Sequence, residues 1–134
     1  MDGLASRASG NPSVPRWLAS FFIGNVLNPK AQTKKDSGFI RSSSGLMLLV
    51  SAQNDKAAWV ETGRAYQRFA LQSTAMNVKN AFLNQPCEVP ELRAQVQSHL
   101  NLNGAFPQLL FRFGHGPAMP RSLRRPVGEV LIAG

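Results

Sequence analysis

The sequence predicts an α+β domain in which a small mixed sheet packs on one long central helix. Three observations carry that prediction. Gly45 to Ala52, GLMLLVSA, is a short continuous apolar run with Ser and Gly at its start, the pattern of a buried strand. From about Lys56 to Met76 the large apolar side chains Trp59, Tyr66, Phe69, Ala70 and Met76 recur at helical spacing. Pro107 to Gly116, PQLLFRFGHG, is another apolar run of strand length, with Arg112 inside it. Element order alone would also suit an α/β arrangement.

Taken in order, residues Met1 to Pro15 are rich in Gly, Ser, Ala and Pro and read as a flexible lead-in. Arg16 to Val26 reads as a short amphipathic core helix with an aromatic face. Asn28 to Ser44 is polar and basic, a surface loop or lid-like segment with at most a helical turn near Ile40. Asn54 or Asp55 can cap the long helix, which would span roughly 30 Å at 1.5 Å per residue. Gly63 inside it costs about 1 kcal/mol relative to Ala. Close approach of another helix or a ligand would offset that cost, and a tolerated defect fits the sequence equally. Ala81 to Asn84 reads as a second short strand that runs into Asn-Gln-Pro. Pro90 then opens a helix to about Leu100, where its missing N–H does no harm. Asn101 to Gly104 supplies turn residues, and PRSLRRPVGEVLIAG is a basic turn with a short apolar tail. Three strands make a thin sheet, so the chain is expected to pair with something that completes it.

A chain of 134 residues points to one compact domain, able to bury roughly two-thirds of its unfolded surface. Its 43% hydrophobic and 16% charged residues argue for a globular protein rather than a disordered one. One cysteine, Cys87, excludes an internal disulfide and a cysteine-rich metal site. His99 and His115 stand far apart with no carboxylate pattern around them, so no metal is expected. The net charge of +8, from 15 Lys and Arg against 7 Asp and Glu, favours an anionic partner. The basic residues cluster at Lys30, Lys34, Lys35 and Arg41, and again at Arg121, Arg124 and Arg125. A solvated basic face that binds nothing is the plainest alternative. No segment reaches the roughly 18 apolar residues of a membrane span. Trp17 to Leu27, with Arg7 and Arg16 before it, loosely resembles a signal-peptide core but lacks a small-residue cleavage site. The expectation is a cytoplasmic protein without a membrane partner.

The sequence offers little catalytic machinery of its own. It has no Gly-x-Ser-x-Gly elbow and no histidine placed to serve a serine. Cys87, near a helix start, could be a thiolate, but a buried filler is the commoner state of a lone cysteine. Asp36, Asp55, Glu61, Glu88, Glu91 and Glu129 form no obvious pair, and the glycines match neither the P-loop nor the dinucleotide fingerprint. No catalytic side chain is assigned; any reactive group would come from a cofactor. Two features would suit one. Arg121, Ser122, Arg124 and Arg125 put guanidinium donors in a compact turn, good geometry for a phosphate. The corner at Leu83, Asn84 and Gln85 offers backbone N–H groups at a strand end. Ordinary solvated arginines and an ordinary turn are the plain readings of the same residues.

The stretches ETGRAYQRFALQSTAMNVKNAFLNQPCEVPELRAQV and PQLLFRFGHGPAMPRSLRRPVGEVL add information as a pair. Gly63-Arg64 with Gln67-Arg68, then Leu83-Asn84-Gln85-Pro86, then Arg112-x-Gly114, then Arg124-Arg125-Pro126-Val127 resemble, in order and spacing, the C-terminal half of the nitroreductase-like FMN-binding superfamily. The branch they resemble includes the Acg-like proteins, and the match covers most of Pro12 to Leu131. Residues 16–134 are read as one such domain, lacking the family's usual N-terminal half. The resemblance implies a homodimer with FMN at its interface, in which the long helix supplies the dimer core and Gly63 permits close helix approach. It implies hydride transfer from NAD(P)H through the flavin to a small-molecule acceptor, a nitroaromatic or quinone. It also implies that Leu83, Asn84 and Gln85 face the flavin ring, while Arg124, then Arg125 and Arg121, hold its phosphate. Two other classes stay open. One is a non-catalytic module that binds or sequesters flavin, or a degenerate dimer scaffold. The other is a basic nucleic-acid-binding protein, disfavoured because Arg121 to Arg125 carries no interleaved aromatic.

Overall fold

A computed structural model of the chain describes residues 29–119, 121 and 124–131. The lead-in and the helix expected at Arg16 to Val26 lie outside the described residues. The chain divides into two compact units, Lys30–Gly116 and a second made from Met1–Pro29 with Pro117–Gly134.

The first described element corrects the sequence reading. Pro29–Arg41 is a helix, α1, where a loop was expected. Proline is tolerated at a helix start, and side chains four apart then support the turn. Gln32 Nε2 donates to Asp36 Oδ1 at 2.8 Å, and Lys35 Nζ lies 5.6 Å from the centre of the Phe39 ring. Ser43 Oγ donates to the Phe39 carbonyl at 2.6 Å as the helix ends. Ser44 N–H then donates to the Phe113 carbonyl at 3.0 Å and brings the chain onto the sheet.

Three strands follow: β1 (Gly45–Ser51), β2 (Lys79–Phe82) and β3 (Phe106–Gly114). Their spatial order is β1-β3-β2, with β3 antiparallel to both neighbours. The expected mixed sheet is therefore antiparallel among the described residues. The reason lies in the crossover. The helix α2 (Lys56–Ala75) carries the chain from β1 back to β2, so those two strands run parallel. They do not touch, because β3 enters between them in the opposite sense. This is a split βαβ arrangement.

Asp55 caps α2 by accepting from Ala58 N–H at 2.8 Å, as the sequence suggests. At the far end Asn77 takes a left-handed φ of 56°. Asn77 N–H donates to Thr74 O at 3.0 Å and Val78 N–H to Ser73 O at 2.7 Å, the paired bonds of a Schellman stop. That stop explains why β2 begins at Lys79 rather than Ala81. Its polar start is satisfied locally: Tyr66 Oη donates to Asn80 Oδ1 at 2.8 Å, and Asn80 Nδ2 to Ser73 Oγ at 3.3 Å.

Alternation along β3 divides the sheet into two faces. Phe111 and Phe113 turn toward α2. Phe111 is fully buried, with the Phe69 ring 4.9 Å and the Tyr66 ring 5.1 Å from it. Tyr66 also lies 4.8 Å from Phe82 on β2. Burying one such ring contributes about 1.5–3 kcal/mol, and each well-placed ring pair adds about 0.5–1.5 kcal/mol. Leu110 and Arg112 take the opposite face, where Arg112 meets Phe39 of α1. The helices α3 (Gln85–Glu88) and α4 (Pro90–His99) close the described part of this unit. The other unit contributes α5 (Val127–Val130), a single turn after Pro126.

Candidate functional site

The corner after β2 is built around one amide side chain. Leu83 N–H still donates to the Leu110 carbonyl at 2.9 Å, in register with the sheet. The return bond differs: Leu110 N–H donates to Asn84 Oδ1 at 2.9 Å instead of to a strand carbonyl. Asn84 itself has turned to φ −83°, ψ −7°, so the strand ends here. Its Nδ2 donates to Glu88 Oε1 at 3.0 Å, and its carbonyl accepts from Cys87 N–H at 2.8 Å and Glu88 N–H at 3.1 Å. One residue thus ties the central strand to the first turn of α3.

Cys87 is 1% exposed beneath this turn, and Arg93 Nε donates to its carbonyl, latching α3 to α4. Burial pushes the Cys87 thiol pKa up, against a smaller pull downward from Arg93, with Glu88 adding to the rise. The group is a buried filler held as the thiol, which removes the nucleophile reading.

With the Leu83 N–H committed to the sheet, the donors left at the corner are the N–H groups of Asn84 and Gln85. Neither has a hydrogen-bond partner among the described residues, and Pro86 contributes none. Two adjacent donors on a corner fixed from three sides suit the polar edge of a flat ligand. A cavity of about 850 Å³ begins at Pro86. Leu46, Leu48 and Leu110 of the sheet face Leu92 and Val96 of α4 across it, with Gln95 and His99 as polar lining.

Leu83, Asn84 and Gln85 therefore fall in one turn of the Lys30–Gly116 unit. Arg121, Arg124 and Arg125 belong to the other unit, all exposed and just ahead of α5. Ser122 lies outside the described residues. Lys34 and Arg41 are exposed on α1, while Lys35 is half-buried beside Phe39.

The structure adds a contact that the sequence reading did not assign. Arg112 Cζ lies 4.3 Å from the centre of the Phe39 ring, and Arg112 Nε is buried with no hydrogen-bond partner among the described residues. The signal was present in the alternation of PQLLFRFG, which puts Arg112 on the same face as Leu110. Reading α1 as a loop hid its aromatic partner.

No family model and no solved structure matches the chain. Two curated proteins do, one from Mycobacterium tuberculosis strain H37Rv and one from strain CDC 1551 / Oshkosh. Both bear the name "Putative NAD(P)H nitroreductase", and each is 25% identical over 125 residues, 90% of this chain. The chain spans about a third of their length, 35%. The likeness is low in identity but runs along most of the chain. The α+β fold with its small antiparallel sheet is consistent with it. Among the described residues no helix is long and apolar enough to cross a membrane.

Proposed function

We propose that the chain is a nitroreductase-like polypeptide that holds FMN and, as a homodimer, passes electrons from NAD(P)H to a nitroaromatic or quinone-type acceptor. The observation that carries the reading is the corner fixed by Asn84. Its two N–H groups without a partner among the described residues, on Asn84 and Gln85, suit the polar edge of an isoalloxazine ring. Donors aimed at an edge that gathers negative charge stabilise it without any proton-transferring side chain. Separately, and from the sequence resemblance alone, Arg124 with Arg125 and Arg121 is assigned to a phosphate through charge-assisted hydrogen bonds. When bound, the flavin supplies the two-electron chemistry that no side chain here offers.

The outward face of α2 supports the homodimer. Val60, Gly63, Gln67 and Leu71 fall on one stripe opposite the sheet. Val60 is 62% and Leu71 65% exposed, and a Cβ at Gly63 would meet nothing within 4 Å. A second copy of the same helix would cover that stripe and use the gap at Gly63.

Titration of the purified chain with FMN, followed by fluorescence polarisation, tests the reading. Saturable, stoichiometric binding is expected, and NAD(P)H oxidation with an added quinone should follow. Absence of binding removes the oxidoreductase reading for this chain. A bound flavin that NAD(P)H does not reduce would make it a sequestering module instead. Arg124→Ala should weaken FMN binding at least about tenfold, the worth of one charged hydrogen bond; unchanged affinity removes the phosphate assignment.

A further inference from the structure

β1 lies at an edge of the sheet, with β3 on one side and no strand on the other among the described residues. The hydrogen-bond pattern fixes which of its backbone groups point outward. Leu83 N–H donates to the Leu110 carbonyl, so Leu110 and Arg112 turn their backbone groups to β2. Phe111 and Phe113 then turn theirs to β1, and the Phe113 carbonyl accepts from Ser44 N–H just ahead of that strand. Met47 and Leu49 face Phe111 and Leu109, which leaves the N–H and C=O groups of Leu46, Leu48 and Val50 pointing away from the sheet. The register slip between Leu49 and Val50 skips Gln108 on β3 and keeps the alternation of β1 intact. None of the outward groups has a hydrogen-bond partner among the described residues.

Sheet edges are ordinarily blunted by a charge, a proline or a short strand. The opposite edge follows that rule, because β2 has four residues and starts at Lys79. β1 does not: its seven residues, GLMLLVS, carry no charge and no proline. Its two exposed apolar side chains, Leu46 at 46% and Val50 at 47%, stand two residues either side of Leu48. Laid antiparallel to a copy of itself about Leu48, the strand sets Leu46 against the partner's Val50 and Val50 against the partner's Leu46. Leu48 exchanges both backbone bonds with the partner's Leu48, and every outward donor meets an acceptor. An unrelated strand has no reason to repeat that spacing, whereas a second copy must, because a two-fold presents the same edge twice.

We propose that two copies of the chain pair edge to edge through β1, antiparallel about Leu48, joining their sheets into one. A contact of this size belongs with interfaces below about 1,200 Å², which are weak. At concentrations where the α2 stripe alone holds two copies together, the β1 edge therefore stays open. The pairing uses neither that stripe nor the Asn84 corner, so it stands apart from the flavin reading.

Sedimentation of the full chain over a concentration series reaching about 1 mM tests it. The mass should double once and then stop, because the two-fold uses up the edge. Over the same range the amides of Leu46, Leu48 and Val50 should gain protection from hydrogen exchange. Those of Met47 and Leu49, already bonded to β3, should not change. Leu46→Lys and Val50→Glu should each weaken the doubling at least about threefold by wetting an apolar cross-strand pair. Combining them should restore it, since each new lysine then faces a glutamate of the other copy. Within one chain residues 46 and 50 are about 13 Å apart along the strand and cannot pair. A mass constant with concentration, growth that does not stop at doubling, or a double variant no better than the single ones overturns the proposal. Doubling without new protection at Leu46, Leu48 and Val50 overturns it too, by moving the contact elsewhere. So does full protection of those amides in the dilute chain, which would mean that another segment of the same chain covers β1. If the variants do not fold, the exchange series on the unaltered chain decides alone: edge amides that ignore concentration sink the idea.

Discussion

Asn84→Ala should loosen the central strand at one identifiable amide. In the folded chain the Leu110 N–H has the Asn84 side-chain oxygen as its acceptor at 2.9 Å. Removing that oxygen leaves a half-buried donor unmet, a loss of about 1–3 kcal/mol for a fully buried group, with the lower half of that range applying here. The exposed bond from Asn84 to Glu88 adds a few tenths, about 0.2–0.5 kcal/mol. A total near ~1.5 kcal/mol corresponds to a fall of about 1 M in the urea midpoint for a protein of this size. Hydrogen exchange gives the sharper readout. The Leu110 amide should lose protection in Asn84→Ala, whereas amides in α2 should follow only the global loss. Asn84→Asp keeps an acceptor and should preserve most of the Leu110 protection while setting a second carboxylate against Glu88. Leu110 exchange identical in the wild type and Asn84→Ala would refute the account of the corner.

Other perturbations probe separate parts of the fold. Phe111→Ala removes the fully buried ring at the centre of the aromatic cluster and should cost about 3–5 kcal/mol in denaturant unfolding; a loss below about 1 kcal/mol would mean that the cluster is not the core. Burial holds the Cys87 and Tyr66 pKa values above their ordinary 9.0 and 10.0, so the fold favours their protonated forms. Their contribution is complete below those ordinary values and is lost as pH rises through the folded-state values, because the unfolded chain sheds its protons first. Stability should therefore fall above about pH 9, and Cys87→Ala should flatten the first part of that decline; an identical slope would contradict the assignment. Leu71→Glu puts a charge on the outward stripe of α2 and should convert a dimer to monomers in sedimentation at equal concentration, with the α2 caps intact.

How far the fold was legible depended on whether local pattern and tertiary role agreed. The long helix was readable because Asp55, Trp59, Tyr66 and Phe69 mark its cap and its apolar face at once. β1 and β3 were readable as continuous apolar runs. β2 was displaced by two residues because Lys79 and Asn80 look like turn residues. Asn80 is held in the sheet by Tyr66 and Ser73, partners that adjacent sequence does not reveal. α1 was missed for a related reason: a basic segment with few apolar residues reads as loop, and its supports are the Gln32–Asp36 and Lys35–Phe39 pairs. The sequence singled out Leu83, Asn84 and Gln85 as a corner, but not what each of them does in the fold. That the Leu83 N–H is committed to the sheet, and that the Asn84 side chain is structural, follow from register, which needs the position of β3.

The placement of β3 also governs how this chain can acquire its sheet. Among the described residues, β1 and β2 both pair with β3, which follows them in sequence: Gly45 waits for Phe113, and Lys79 for Gly114. Among the described residues no tight hairpin forms on the way, and α2 can fold early against nothing more than the open edges of unpaired segments. Folding should therefore be a late, nearly all-or-none closure with high loop-closure entropy, slow for a chain so rich in helix. A nascent chain interrupted anywhere before Phe106 would carry Leu46, Leu48 and Phe82 with no strand to receive them, which makes it a natural client for a chaperone that shields unpaired strands.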